Sequence, residues 1–203
     1  MSKMQIRLIA DADAQAVLNV YAPYVISTAI TFEYDVPTLE DFKHRIKLVI
    51  EDYPWLVCEH ENTIIGYTYA SKHRLKIGYQ WSPESTIYLA SEYHRKGIAR
   101  ILYETLFALL RVQGYVSLFA GVALPNEKSE KFHRALGFSE IGDFKNIGFK
   151  LGRWHDVRWF KFSLADCLTN PPPPMKLIEI KDTVQFKEIL KLANEKLRIL
   201  QKM

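Results

Sequence analysis

Cysteine is nearly missing from this chain: Cys58 and Cys167 are the only two, far apart and in no metal-ligand spacing. That excludes a disulfide-stapled scaffold and a cysteine-based zinc site, and no metal is expected. Cys58 falls in the apolar run "WLVC", where a small buried hydrophobe is expected rather than a nucleophile. Long apolar runs are lacking too. No stretch approaches the roughly 20 residues that cross a bilayer, and the opening "MSKMQIRLIADAD" holds no apolar leader core. No membrane association and a cytoplasmic location are the resulting expectations. Strong charge of one sign is also absent. The formal net charge of +4 is too mild for the concentrated basic face of a nucleic-acid binder, but it suits an anionic small molecule. Hydrophobic residues at 48% and charged residues at 25% are ordinary for a globular fold, and 203 residues suffice for one well-cored domain plus an appendage.

The periodicity alternates between two and 3.6. Met4 to Ala10 reads as a strand, and "DADAQAVLNVYAPYV" follows with an Asp cap and apolar residues at helical spacing. Thr38 to Ile50 repeats the helical pattern, with Leu39, Phe42, Ile46 and Val49 on one face. "WLVCEH" and "TIIGYTYA" read as a hairpin turned at Glu61 and Asn62. Ser71 to Glu84 is a polar, basic and aromatic stretch without period, the form a binding loop takes. Then come a strand in "STIYLAS", a helix from Ile98 to about Gly114, a strand in "YVSLFAGVAL", and a short helix in "PNEKSEKFHRAL" stopped by Gly137. The final strand lies in "RWHDVRWFKFSL". This order predicts an α/β domain over residues 1–165, with a mixed sheet covered by helices on both faces. "NPPPPMK" marks a stiff linker over 166–182. From Thr183 to Met203 the chain is basic and amphipathic, with Phe186, Leu190, Ala193, Leu197 and Leu200 on one seam. That seam fits either a short coiled coil with a partner or a terminal helix folded back on its own domain.

Where the "STIYLAS" strand gives way to the long helix the chain reads "YHRKGIAR". Small residues there let the backbone turn tightly and let a ligand come close. A helix start gathers anions, since its first N–H groups are unpaired and the macrodipole is positive at that end. "HRKGIA" matches Q/R-x-x-G-x-G/A, the pyrophosphate loop of the GNAT acyl-CoA N-acetyltransferases, in all but its first residue. With "YPWLV", "ESTIYLA", "GIARILY", "LPNEKS", "FHRALGF" and "GFKLGRWHDVRWF", the chain resembles the phosphinothricin N-acetyltransferase branch of that superfamily from about Ile6 to Ser163. The resemblance implies a GNAT fold with a mostly antiparallel central sheet, to which the terminal helix is an extension. It also implies acetyl-CoA as co-substrate, direct transfer to the primary amine of a small amino acid or analogue, and a homodimer.

Residue by residue, it implies that the backbone of Ile87, Tyr88 and Leu89 pairs with the pantetheine arm. Arg95, Lys96, Gly97, Ile98, Ala99 and Arg100 take the pyrophosphate, and Asn126 contacts the cofactor farther along. His94 stands where Gln or Arg is usual, so weaker or pH-sensitive cofactor binding is expected. An alkylammonium cannot attack a thioester before losing a proton, so a base must sit near the amine. Glu84 matches the family's carboxylate and is expected as principal base; His133 matches its active-site histidine, as second base or acid. A backbone N–H near Leu89, aimed by a bulge, is the expected oxyanion donor. Arg74 and Lys76 match positions that hold the acceptor's acidic groups, with Phe32 and Tyr79 as walls. Lys76 replaces a common Arg, which removes a bidentate grip. His155 and Asp156 are expected to be structural. Two rival readings remain: an acceptor that is a polyamine, aminoglycoside or protein N-terminus, and a non-catalytic acyl-CoA-binding interaction module. Arg74 and Lys76 argue against the first, and retention of both Glu84 and His133 argues against the second.

Overall fold

The computed structural model describes residues 4–202; residues 1–3 and 203, which fall within the expected spans, lie outside it. Seven strands form one sheet in the order β1-β2-β3-β4-β5-β7-β6: β1 Met4–Leu8, β2 Trp55–His60, β3 Thr63–Ser71, β4 Glu84–Leu89, β5 Ser117–Ala123, β6 Ser139–Lys150 and β7 Arg153–Ser163. All neighbours run antiparallel except β4 and β5, which are joined by the right length of chain for a crossover through a helix. Alternation of side chains along the strands sorts the core into two layers. On one face, α1 (Ala14–Ser27) and α2 (Leu39–Ile50) bury Val17, Tyr21, Phe42 and Ile46 against Trp55, Val57 and Tyr67. On the other, α3 (Ile98–Gln113) buries Leu102, Leu106 and Leu109 against Leu118, Ala120 and Phe160, and α4 (Glu127–Ala135) adds Phe132 and His133. The expected α/β sandwich is therefore present. Cys58 lies in this core, its thiol pushed up to about 12 by burial, and so behaves as the hydrophobe its surroundings imply.

The terminal segment joins the same core. Leu177 and Ile180 of the short α5 (Leu177–Ile180) are buried, as are Phe186, Ala193 and Leu197 of α6 (Val184–Leu200). Residues 166–182, expected as a stiff linker, are held to the domain at two points: Trp81 Nε1 donates to the carbonyl of Pro172, and Gln113 exchanges bonds with the backbone of Met175. The α6 seam packs in cis, across α3 and the edge strand β1. Asn194 explains why. Its amide accepts from Ile6 N (2.8 Å) and donates to Ile6 O (2.9 Å), acting as one residue of a missing strand for an edge that would otherwise be unpaired.

The parallel pair is where the sheet opens. β4 and β5 meet only at Glu84 and Phe119 in the ladder, and the two strands part beyond that point. On its other side β4 pairs with β3 continuously, from Ser71↔Glu84 to Gly66↔Leu89, with no register shift. The bulge expected near Leu89 is thus absent, and divergence of β5 is what frees the backbone. Gly66 lets Leu89 come close, for a Cβ there would lie 2.2 Å from Leu89 Cδ1.

Candidate active site

Hydrogen-bond parity decides which backbone groups face the opening. Ala90 N donates to Ile65 O, so Tyr88 and Thr86 share its hydrogen-bonded pairing with β3. Ile87 and Leu89, one residue out of phase, turn their N–H and C=O groups the other way, toward β5. Of the three β4 residues read from the sequence, Ile87 and Leu89 offer backbone to the gap. Tyr88 instead spends its backbone on β3 and buries its ring against Tyr21, Tyr24 and Tyr67. An extended amide-bearing chain laid in the gap would complete the ladder, which is the physical test a pantetheine arm has to pass.

At the far end of the gap the loop of residues 94–97 feeds α3. Arg95 (φ 60°) and Gly97 (φ 79°) both adopt the left-handed conformation, which gathers backbone N–H groups at the start of a 16-residue helix. Ile98 is buried and anchors the loop, while Ala99 and Arg100 lie in the first turn. Arg95 and Lys96 are exposed there; Lys96 Nζ also sits 5.0 Å from the centre of the Tyr93 ring. Arg100 is turned toward α4, donating to Ala135 O, and pairs with Glu104 on its own helix. His94, the departure from the usual loop, has a structural task. Its Nε2 lies 2.9 Å from Leu89 O, and Tyr24 donates to the same carbonyl at 2.5 Å. Because a carbonyl only accepts, the Nε2 carries hydrogen. Burial pushes the Tyr24 hydroxyl up, which keeps it a donor. The loop is therefore laced to the last residue of β4.

Glu84 opens β4 at the point where the gap closes, its side chain about one-third exposed. Its carboxylate Oε2 is 3.3 Å from Nδ1 of His73, a residue of the aperiodic loop that sequence reasoning missed. Next to this pair is a depression of about 110 Å³ lined by His73, Arg74, Phe119, Phe144 and Trp159, among others. Arg74 lines it as expected. Lys76 and Tyr79 instead sit exposed on a single 3-10 turn of the same loop, and Phe32 packs across Gly148, 6.1 Å from the ring of His155.

His133 lies on the opposite face of the sheet from Glu84. Glu84 follows the Phe119 side, whereas His133 is in the α3 layer, 3% exposed and stacked on Phe160. Nδ1 donates to Ser129 O at 2.8 Å, and burial, the largest influence, lowers the imidazole from its ordinary value. The ring is thus held neutral, with its Nε2 lone pair directed at Tyr103 OH, 3.5 Å away. Tyr103 in turn lies 3.3 Å from Ser85 Oγ, next to Glu84 on β4. A buried polar chain therefore runs from His133 to the edge of the gap. The sequence pattern of α3 does not single out Tyr103. Asn126 spends Oδ1 on the N–H of Ser129, capping the helix that carries His133. His155 is buried between the carbonyls of Leu124 and Lys150, and Asp156 accepts from Asn146 N, so both tie β7 to neighbouring backbone.

Comparison with known proteins agrees with this geometry. The chain is 31% identical to the phosphinothricin N-acetyltransferase of Streptomyces viridochromogenes, covering 85% of this chain and 93% of that one. It is 28% identical to the L-methionine sulfoximine/L-methionine sulfone acetyltransferase of Salmonella typhimurium, over 80% of this chain and 96% of that protein. Among solved structures, a phosphinothricin acetyltransferase from Sinorhizobium meliloti in complex with AcCoA superposes with a TM-score of 0.80 at 30% identity, covering 84% of this chain and 94% of that one. A ribosomal-protein-alanine N-acetyltransferase from Brucella melitensis gives 0.76 at 31% identity, covering 78% and 98%. With the acetyltransferase (GNAT) domain model matching residues 6–159, the chain belongs to the GNAT acetyltransferases.

Proposed function

We propose that this protein transfers acetyl from acetyl-CoA to the primary amine of a small amino acid or analogue, of the phosphinothricin or methionine sulfoximine type, in one ternary complex. The observation that carries this reading is the splayed β4–β5 gap, which runs from the Arg95–Arg100 loop to Glu84 and its adjoining depression. Relatives bearing those substrate names support the acceptor class. Bound acetyl-CoA supplies an activated thioester carbonyl. The backbone of Leu89 holds the arm near the loop, about 16 Å along the strand from Glu84. The gap-facing N–H nearer Glu84, that of Ile87, is therefore the donor to the carbonyl oxygen as negative charge grows there, rather than the N–H of Leu89. Glu84 takes a proton from the acceptor ammonium, freeing its lone pair for attack. On the opposite face, the hydrogens of the Ser85–Tyr103–His133 chain run toward the Nε2 lone pair of His133, so that chain can accept a proton as a second base. The departing thiolate is protonated by the proton that the attacking nitrogen sheds once the new C–N bond has formed. Much of the acceleration comes from holding amine and thioester together. Arg74 favours an acceptor that carries an anionic group beside its amine.

The test is acetyl transfer against a panel of amino acids, phosphinothricin, methionine sulfoximine, spermidine, an aminoglycoside and an alanyl peptide. Turnover is expected with the acidic small amines; turnover confined to the polycations or the peptide would contradict the acceptor assignment. The loop assignment has its own test. Gly97→Ala places a Cβ at φ 79° and 3.1 Å from Leu200 Cδ1, a strain of about 1–2 kcal/mol in the left-handed region. Calorimetry with acetyl-CoA should then show binding weakened about tenfold, the equivalent of about 1.4 kcal/mol. Unchanged affinity would remove the loop from the cofactor site.

The reading includes a homodimer. Ile141, Phe144, Ile147 and Phe149 on β6, with Leu151 and Trp154 at the turn, are each 45–60% exposed. Six exposed large apolar side chains on one hairpin mark the surface a second copy would cover. Light scattering should give twice the chain mass for the wild type and the chain mass for Trp154→Asp. A monomeric wild type at micromolar concentration would contradict it.

A further inference from the structure

We propose that His73 is a positioning residue for the Glu84 carboxylate. The proposal deepens the acetyl-transfer reading and rests on it for its kinetic consequence. His73 follows the end of β3 in a loop with no periodic signal, yet its side chain is only 11% exposed. Its ring lies flat on Phe119, with centroids 5.0 Å apart and planes 9° apart, and meets Trp159 edge-on at 5.0 Å. Phe119 is itself the ladder partner of Glu84 across the closing point of the gap. The imidazole is thus clamped on the strand next to the carboxylate, with Nδ1 facing Oε2 at 3.3 Å. The Arg74 guanidinium donates to the His73 carbonyl at 3.1 Å and steadies the same loop.

Packing alone would be served equally well by a phenyl ring. What the imidazole adds is a donor. With Nδ1–H given to Oε2, the carboxylate loses the freedom to rotate, and Oε1 is left to meet the acceptor. In the reaction, an N–H bond of the ammonium breaks, its proton goes to Glu84, and the electron pair stays on nitrogen to attack. His73 makes and breaks no bond. Its effect is to keep the receiving oxygen within reach, and misplacement of a reacting group by about 1 Å costs on the order of 100-fold in rate.

Two substitutions separate the donor from the ring. His73→Phe keeps the aromatic stack and deletes the donor; His73→Asn keeps a donor close to the Nδ1 position and loses the stack. His73→Phe is expected to lower kcat about 10- to 100-fold with the KM for acetyl-CoA unchanged. His73→Asn is expected to recover most of that loss, although it packs less well. In a Glu84→Gln background, His73→Phe should cost nothing more, since residues that act as a unit are not additive. Full kcat in His73→Phe, an asparagine no better than phenylalanine, or losses that multiply with Glu84→Gln would each overturn the proposal. A readout independent of turnover keeps it distinct from the acceptor assignment: nitrogen NMR of the histidine rings. The His73 resonances should report hydrogen on Nδ1 in the wild type and should move in Glu84→Gln. Resonances indifferent to Glu84 would overturn the contact even in an enzyme that acetylates the panel, and resonances that move uphold it even where no panel amine is acetylated.

Discussion

Glu84→Gln is expected to lower kcat by about 100- to 1000-fold, the range for removing a general base from its place. The substitution keeps size and a hydrogen-bonding end and deletes the capacity to hold the ammonium proton. Glu84 is a third exposed and, among the described residues, its side chain is hydrogen-bonded to His73 alone, so little of the fold depends on its charge. The melting temperature should stay within about 2 °C, as for surface changes away from buried networks. Acetyl-CoA affinity should also be unchanged, because the gap and the loop hold it by backbone groups and cations distant from this side chain. Steady-state kinetics with the best acceptor in the panel, with calorimetry in parallel, separates these quantities. A kcat within threefold of wild type would remove Glu84 from the chemistry and leave water, or the buried His133 chain, to do the work.

The largest effect on stability is expected at Leu197, far from the reacting groups. It is fully buried in the core that α6 shares with α3 and β1. Leu197→Ala removes buried methyl groups and leaves a cavity, a change worth about 2–5 kcal/mol. For a domain of this size that corresponds to a fall of about 4–20 °C in the melting temperature. Leu192→Ala, on the same helix but half exposed, is the control and should change stability by less than about 0.5 kcal/mol. Equal melting temperatures for the two variants would mean that α6 contributes no core and that its cis packing is wrong. The consequence reaches the active site, since Leu200 at the end of α6 rests against Gly97 and Lys196 pairs with Glu104, which also pairs with Arg100. A loosened α6 removes the backing of the loop that faces the pyrophosphate.

Local pattern carried much of this. Gly97 between a strand and an apolar helix, Glu84 at the start of a strand, and Arg74 in an aperiodic loop are all positions where residue type and neighbours already constrain the backbone. The same is true of the Thr38 cap, whose side chain accepts from Asp41 N; Asn126, read only as a cofactor contact, also caps its helix by accepting from Ser129 N. What was hidden depended on pairing between distant strands. No periodicity states that β7 lies between β5 and β6, or that β4 and β5 touch at one residue pair and part. That divergence, rather than a bulge, frees Ile87 and Leu89 and turns the backbone of Tyr88 away. His73 was invisible because its loop has no period and its partners, Phe119 and Trp159, come from other strands. The seam of Phe186, Ala193 and Leu197 was legible, but not its occupant: a coiled coil and a cis-packed helix ask for the same spacing. Asn194 on the backbone of Ile6 is what distinguishes them.

The account stands on the claim that the cofactor's arm fills the gap beside β4. Residue-resolved amide exchange, with and without coenzyme A, measures this directly. Protection should rise at Ile87 and Leu89, whose N–H groups face the opening, while Tyr88, already paired to β3, should be slow in both states. Exchange at Ile87 and Leu89 that stays the same under saturating coenzyme A would contradict it.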